Sequence, residues 1–116
     1  MNIKLIVAMV ADNKRQRIID AAREVGATGA TVITSVRGEG LSPEKSFLGL
    51  DLNSQRDVVL FLVAGTRSRE ILETICEAGN FNEDPGAGVA FVMGIEDVVG
   101  LDTQLPTILK EIEDEV

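Results

Sequence analysis

The sequence predicts an α+β fold in which two helices cover one face of a four-stranded antiparallel sheet. Residues 3–10, 58–63 and 89–93 are rich in apolar residues without alternation, which is typical of strands covered on both faces. Between them lie segments whose apolar residues recur at helical spacing. With a further strand at residues 30–36, the order is strand, helix, strand, strand, helix, strand. Ferredoxin-like sandwiches have this order.

The first half of the chain supplies the first strand, a helix at residues 13–25 and the strand at residues 30–36. Asp12 or Asn13 is predicted to cap the start of the helix with its side chain. Gly26 is expected to end the helix, because glycine readily adopts the left-handed conformation found after many helices.

The second half repeats the same pattern. The strand at residues 58–63 leads to Thr66 or Ser68, and either side chain is a good cap for the second helix. Gly79 or Asn80 is expected to end that helix before the last apolar strand.

The remaining C-terminal residues predict two more elements. Residues 95–101 are predicted to form a short edge strand, and Pro106 marks the start of a third helix within residues 105–116. The length of 116 residues fits one domain, residues 1–116, with its own core.

The apolar strands also predict self-association. Two helices cover one face of a sheet, but three of the strands are apolar on both faces. The second face must therefore be buried as well, and we expect a homo-oligomer packed through its sheets.

Composition excludes several classes of function. The 11 basic and 19 acidic side chains give a formal net charge of −8, so the phosphate backbone of a nucleic acid is not an expected partner. Histidine is absent and Cys76 is the single cysteine, which excludes disulfides, zinc clusters and histidine-dependent catalytic triads. Cys76 is expected to lie in the core. The remaining acid-base groups are carboxylates, so the chain is not expected to be an enzyme.

The N-terminal apolar run is short and leads into charged residues without a cleavage pattern. No stretch approaches the roughly 18 apolar residues of a membrane span. Together with the single thiol, these features predict a cytoplasmic protein.

Residues 41–54 have no lasting period and are longer than most connections in compact domains. This segment either docks onto a protein partner or folds back on an apolar cluster of its own. The residues that would make the contact are Ser42, Lys45, Ser46, Phe47 and Leu48.

Two glycine-containing turns, residues 38–40 and 85–88, would let backbone amides approach a phosphate or a carboxylate, and would otherwise be plain turns. Arg37 and Arg56 lie at the ends of adjacent predicted strands. They either hold an anion together or pair with neighbouring carboxylates. Those carboxylates are Glu39 and Asp57.

Four segments resemble the PII nitrogen-regulatory signal proteins. They are GATGATV at residues 26–32, VRGEG at residues 36–40, GAGVAFV at residues 86–92 and IEDVV at residues 95–99. Each is similar to a PII segment in the same order along the chain, and the similarity covers residues 3–103.

The resemblance implies a homotrimer of ferredoxin-like subunits with adenine nucleotide in the clefts between neighbours. It also implies that the 41–54 loop is flexible and docks onto a regulated enzyme or membrane transporter when a small-molecule effector is sensed. The cleft residues would be Thr28, Gly29, Thr31, Arg37, Gly38, Glu39, Gly40, Arg56, Gly86, Ala87 and Gly88.

The cations that hold nucleotide phosphates in the PII family are absent at the matching positions. Val89, Leu41, Gly100 and Asp102 occupy them, so ordinary ATP binding is predicted to be weak or lost. Arg56 stands where the family has a lysine that contacts 2-oxoglutarate, a position where it could hold a carboxylate.

An alternative hypothesis is a metal-binding or metal-tolerance trimer of similar fold. Its ligands would be carboxylates near the two glycine turns and beyond the last strand. These are Glu39, Glu83, Asp84 and Asp102.

Overall fold

A computed structural model describes residues 2–36, 46–47, 50–51 and 56–100. Four long strands form the main sheet, and two short strands form a separate ribbon. In chain order the strands are β1 (Ile3–Ala11), β2 (Ala30–Val36), β3 (Ser46–Phe47), β4 (Leu50–Asp51), β5 (Arg56–Ala64) and β6 (Gly88–Gly94).

The main sheet has the order β2-β5-β1-β6, and every neighbouring pair is antiparallel. Helix α1 (Arg15–Glu24) connects β1 to β2, and helix α2 (Ser68–Gly79) connects β5 to β6. The two connections cross the sheet in opposite directions and start from strands that run in opposite directions. Right-handed connections therefore place both helices on the same face. The predicted ferredoxin-like α+β fold is confirmed.

The core lies between the helices and that face of the sheet. Alternate residues of β1 and β5 point toward the helices, as the two-residue period of a strand requires. The largest side chains with no exposed surface are Phe61, Ile6, Ile18, Ile71 and Ile75.

The helix starts differ from the prediction. A short 3-10 helix precedes each α-helix, Asp12–Lys14 before α1 and Gly65–Arg67 before α2, and no side chain caps the first residue of either one. The 3-10 turn joins strand to helix continuously, so the predicted caps are not used. The Ser68 hydroxyl instead donates a hydrogen bond to the Gly65 carbonyl oxygen at 2.9 Å.

The helix ends agree with the prediction. Gly26 follows α1 with a φ of 106°, and Asn80 follows α2 in the left-handed conformation with a φ of 57°. Asparagine is the residue that most often replaces glycine at this position.

Two predictions about extended segments are wrong. Residues 95–100 form no strand, although the sequence predicted one at 95–101. The loop at 41–54 contains β3 and β4, paired as Ser46 with Asp51 and Phe47 with Leu50. A period of two residues cannot be detected in strands of two residues, which is why the ribbon was missed. The predicted C-terminal helix lies outside the described residues.

Candidate ligand-binding cleft

The start of β5 and the turn before β6 meet at one end of the sheet. Arg56, the first residue of β5, is in register with Ala11 at the end of β1 and with Val36 at the end of β2. The Ala11 amide donates to the Ala87 carbonyl oxygen at 3.4 Å, which places the glycine turn (residues 84–88) against the same strand ends. The structure therefore brings together Arg56 and residues 86–88, which the sequence assigned to one cleft.

Gly86 lies beside the Arg56 guanidinium group. A Cβ atom at Gly86 would lie 3.9 Å from the Arg56 Nη2 atom, and Gly86 has a φ of 79°. Side chains other than glycine rarely adopt this conformation. The Ala87 amide closes the turn by donating to the Asp84 carbonyl oxygen at 3.0 Å. The buried Arg56 guanidinium thus lies beside a turn whose shape depends on glycine.

Gly88 is required for a different reason. Its missing side chain makes room for the Phe81 ring, and a Cβ atom there would also lie 2.8 Å from the Met9 carbonyl oxygen. The same ring fills the space beside Gly79 at the end of α2. Phe81 therefore fixes the glycine turn to the helix layer. The sequence analysis did not identify Phe81, because a lone aromatic residue in a turn carries no spacing signal.

Two ion pairs lie at this end of the sheet and were also missed. Lys14 donates from its Nζ atom to the Asp84 Oδ2 atom at 2.9 Å and to the Gly79 carbonyl oxygen at 2.8 Å. Arg15 donates from Nη1 to the Asp57 Oδ2 atom at 2.7 Å, and the Asp57 side chain is only 4% exposed. These partners are 42 to 70 residues apart, so no local sequence pattern indicates them.

The threonines predicted for the cleft lie elsewhere in the same chain. The Thr28 hydroxyl donates to the Leu62 carbonyl oxygen at 2.8 Å, and Thr31 is in register with Leu60. Leu60 is four residues from Arg56 along β5, which is about 13 Å at 3.3 Å per residue. Within one chain, the segment from Thr28 through Gly29 to Thr31 therefore does not meet the glycine turn.

Several predicted site residues lie outside the described residues. For the cleft these are Arg37, Gly38, Glu39 and Gly40, and for the loop they are Ser42, Lys45 and Leu48. The other two loop residues, Ser46 and Phe47, form strand β3.

The metal hypothesis has no support in the described part of the chain. No group of three or more His, Cys, Asp or Glu side chains there could hold a metal ion. Asp84 is paired with Lys14, and the proposed ligands Glu39 and Asp102 lie outside the described residues.

A groove of about 510 Å³ runs between α2 and the start of β6, next to the glycine turn. Cys76, which the sequence placed in the core, is half-buried and lines this groove. Leu72, Phe81 and Val89 line its apolar part, while α2 contributes the charged side chains Arg69, Glu73 and Glu77. Among the described residues, no helix is long and apolar enough to cross a membrane.

Comparison with known proteins identifies the family. The family model described as nitrogen regulatory protein P-II matches residues 3–104, most of the chain. The chain belongs to the P-II family. The PII resemblance seen in the four sequence segments is therefore confirmed.

One curated P-II relative is the nitrogen regulatory protein GlnK2 of Haloferax mediterranei. It is 31% identical over 107 residues, which cover 87% of this chain and 85% of the relative. Both names describe regulatory proteins, so the P-II match supports a role in nitrogen regulation for this chain.

Proposed function

We propose that this P-II protein is a homotrimeric signalling protein that senses a small effector in clefts between subunits. It would then regulate an enzyme or a membrane transporter through residues 41–54. One observation carries the assembly part of this proposal: the sheet has a second face that is mostly apolar and that neither α1 nor α2 covers.

The apolar face is continuous across all four long strands. Its residues stand in rows that the strand register defines, and they alternate with the core residues along each strand. The rows are Met93, Leu5 and Leu62, then Phe91, Val7, Leu60 and Thr31, and then Val89, Met9, Val58 and Ile33. We call this surface the open face.

Apolar side chains at the ends of these rows are exposed to solvent in the single chain. This supports the proposal that other copies bury them. Ile33 and Met93 are each 48% exposed in the single chain. Monomeric proteins rarely leave a contiguous apolar surface of this extent in water. A second copy carries the same surface and supplies a matching partner.

The edges of the sheet support a ring. The edge strands β2 and β6 contain no charged residue, whereas edge strands that face water usually carry charges or proline. A contact between β2 of one copy and β6 of the next is heterologous and can close into a ring. Such a contact would bring the neighbour's Thr28 and Thr31 near β6, whose first residues continue the glycine turn. The predicted cleft residues would then meet between subunits.

Sedimentation velocity tests the assembly. Ile33→Glu introduces a charge on the open face at a position that is already half-exposed, so the subunit itself should fold. We expect the trimer to dissociate into folded monomers. Thr66→Glu adds the same charge at an exposed position beyond the sheet and should leave the trimer intact. A trimer that persists in Ile33→Glu would show that the open face is not the interface.

Deleting residues 42–53 tests the docking role. We expect the trimer to persist and capture of the native regulated partner to be lost. A matched control replaces the same residues with glycine and serine, which keeps the length of the loop but removes its side chains, and it should also lose capture. Unchanged partner capture by both variants would contradict the docking role.

A further inference from the structure

Three basic side chains lie at the end of the sheet that carries the glycine turn. Arg56 approaches Gly86, and Lys14 contacts Asp84 at the start of the turn. Arg15 pairs with Asp57, which is in register with Val10, the strand neighbour of Gly88. A cluster of this kind would ordinarily attract an anion with several charges.

Two of these cations are already engaged inside the chain. Lys14 is only 15% exposed and is bound by the Asp84 carboxylate and the Gly79 carbonyl oxygen. Arg15 is bound by the buried Asp57 carboxylate. A phosphate approaching the turn would meet two carboxylates together with the cations, so the local attraction for a polyanion is largely cancelled.

The triphosphate of an adenine nucleotide, which the PII resemblance implies, does not fit this turn. Several charge-assisted hydrogen bonds are needed to bind a polyphosphate. The residue that follows Gly88 is Val89, an apolar residue in β6, and the nearby Lys14 and Arg15 are held by aspartates. The triphosphate therefore fits poorly for two reasons: the basic residues that would bind it are absent, and acidic residues hold the cations that are present.

We infer that Asp57 and Asp84 are specificity-determining residues of the cleft. They hold Arg15 and Lys14 in internal ion pairs and restrict the cleft to small molecules with little negative charge. This inference rests on the proposed function, because it assumes that the cleft binds an effector. Rejection of the wrong ligand by unfavourable charge is as effective a source of specificity as attraction of the right one.

Isothermal titration with inorganic tripolyphosphate tests this role at an ionic strength of about 0.15 M, where the Debye length is about 8 Å. The double variant Asp57→Asn and Asp84→Asn keeps the shape and an oxygen acceptor at both positions but removes two negative charges. We expect its affinity for tripolyphosphate to exceed that of the wild type by about tenfold or more, because Lys14 and Arg15 become available to the anion.

A control variant with the same change in net charge separates the effect of releasing Lys14 and Arg15 from the effect of a lower negative charge on the whole protein. Asp20→Asn with Glu96→Gln removes two charges away from the turn: Asp20 lies within α1 and accepts a hydrogen bond from Gln16, and Glu96 is exposed beyond the end of β6 that is opposite the turn. We expect its affinity to stay within about twofold of the wild type, since distant surface charges are screened. An equal gain in both double variants, or no gain in either, would overturn the inference.

The single variant Asp84→Asn keeps the test decisive if the double variant misfolds. The Asp84 side chain is 51% exposed, so this substitution does not disturb the core, and it should give part of the gain. All the substituted residues lie in one chain, so the change in affinity can be measured on whichever oligomer forms. Failure of the trimer or loop experiments would therefore count against the proposed function without deciding the roles of Asp57 and Asp84.

Discussion

The two faces of the main sheet are almost equally apolar but have different neighbours. On the helix-covered face, Ile6, Val59 and Phe61 have no exposed surface. On the open face, Ile33 and Met93 are each 48% exposed. Hydrophobic composition alone therefore does not distinguish the core of this subunit from the surface proposed to bind other copies. The position of the two connecting helices makes that distinction.

The polar groups of the two faces differ as well. The helix-covered face ends in the Arg15–Asp57 ion pair, whereas the open face is apolar from β6 to β5 as far as Val58 and ends in Arg56. A charge-bearing cleft at this end of the sheet and an apolar open face suit the two separate tasks proposed above, ligand sensing and assembly.

The largest expected effect on stability comes from replacing two phenylalanines that lie on opposite faces of the sheet. Phe61→Ala should lower the free energy of unfolding by about 3–5 kcal/mol at every protein concentration, because it leaves a cavity in the core. Phe91→Ala should lower the melting temperature more at low than at high protein concentration, because the open face is proposed to be buried by association. Calorimetry at two concentrations measures both. If both variants lost the same stability at both protein concentrations, the distinction between the two faces would be wrong.

A smaller effect is expected from two glycines of the same strand. Gly88→Ala should destabilise the fold by about 1–3 kcal/mol, because its Cβ atom would overlap the Phe81 ring and crowd the Met9 backbone. Gly94→Ala is the matched control at the other end of β6, where an added Cβ atom would have no atom of the described residues within 4 Å apart from its chain neighbours. Urea denaturation should show little change for it. Equal losses of stability in the two variants would mean that the glycine turn is not packed against Phe81.

The smallest effect compares two arginines in ion pairs. Arg15→Met should cost about 1–2 kcal/mol, because it leaves the buried Asp57 carboxylate without this partner, although Arg15 itself is 36% exposed. Arg69→Met removes an exposed pair with Glu73 and should change stability by less than about 0.5 kcal/mol. Chemical denaturation measures both, and equal values would place Asp57 in a more solvated site than the structure gives it.

Periodic patterns predicted most of the fold correctly. Strands β1, β2 and β6 and both helices appear within a few residues of their predicted bounds, and β5 extends the predicted strand at both ends. Long apolar runs give a strong signal because many residues repeat the same spacing. The helix starts were wrong because side-chain caps depend on backbone geometry that a 3-10 turn changes.

The candidate site was predicted only in part. Arg56 and residues 86–88 were assigned to one cleft through the PII resemblance, and the structure brings them together. Lys14, Arg15 and Phe81 were missed because their partners lie far away in sequence or in a turn without a motif. Only the folded sheet places these groups at one end. The threonine segment of the cleft stays a prediction, since it would meet the glycine turn only in an assembly.

The position of Lys14 has a mechanical consequence. Its ammonium group contacts the last carbonyl of α2, and its backbone immediately precedes α1. One side chain therefore fixes the start of the first helix to the end of the second. The helices cannot slide along each other without breaking this contact. A displacement of the glycine turn is thus expected to tilt the helix layer as a rigid body.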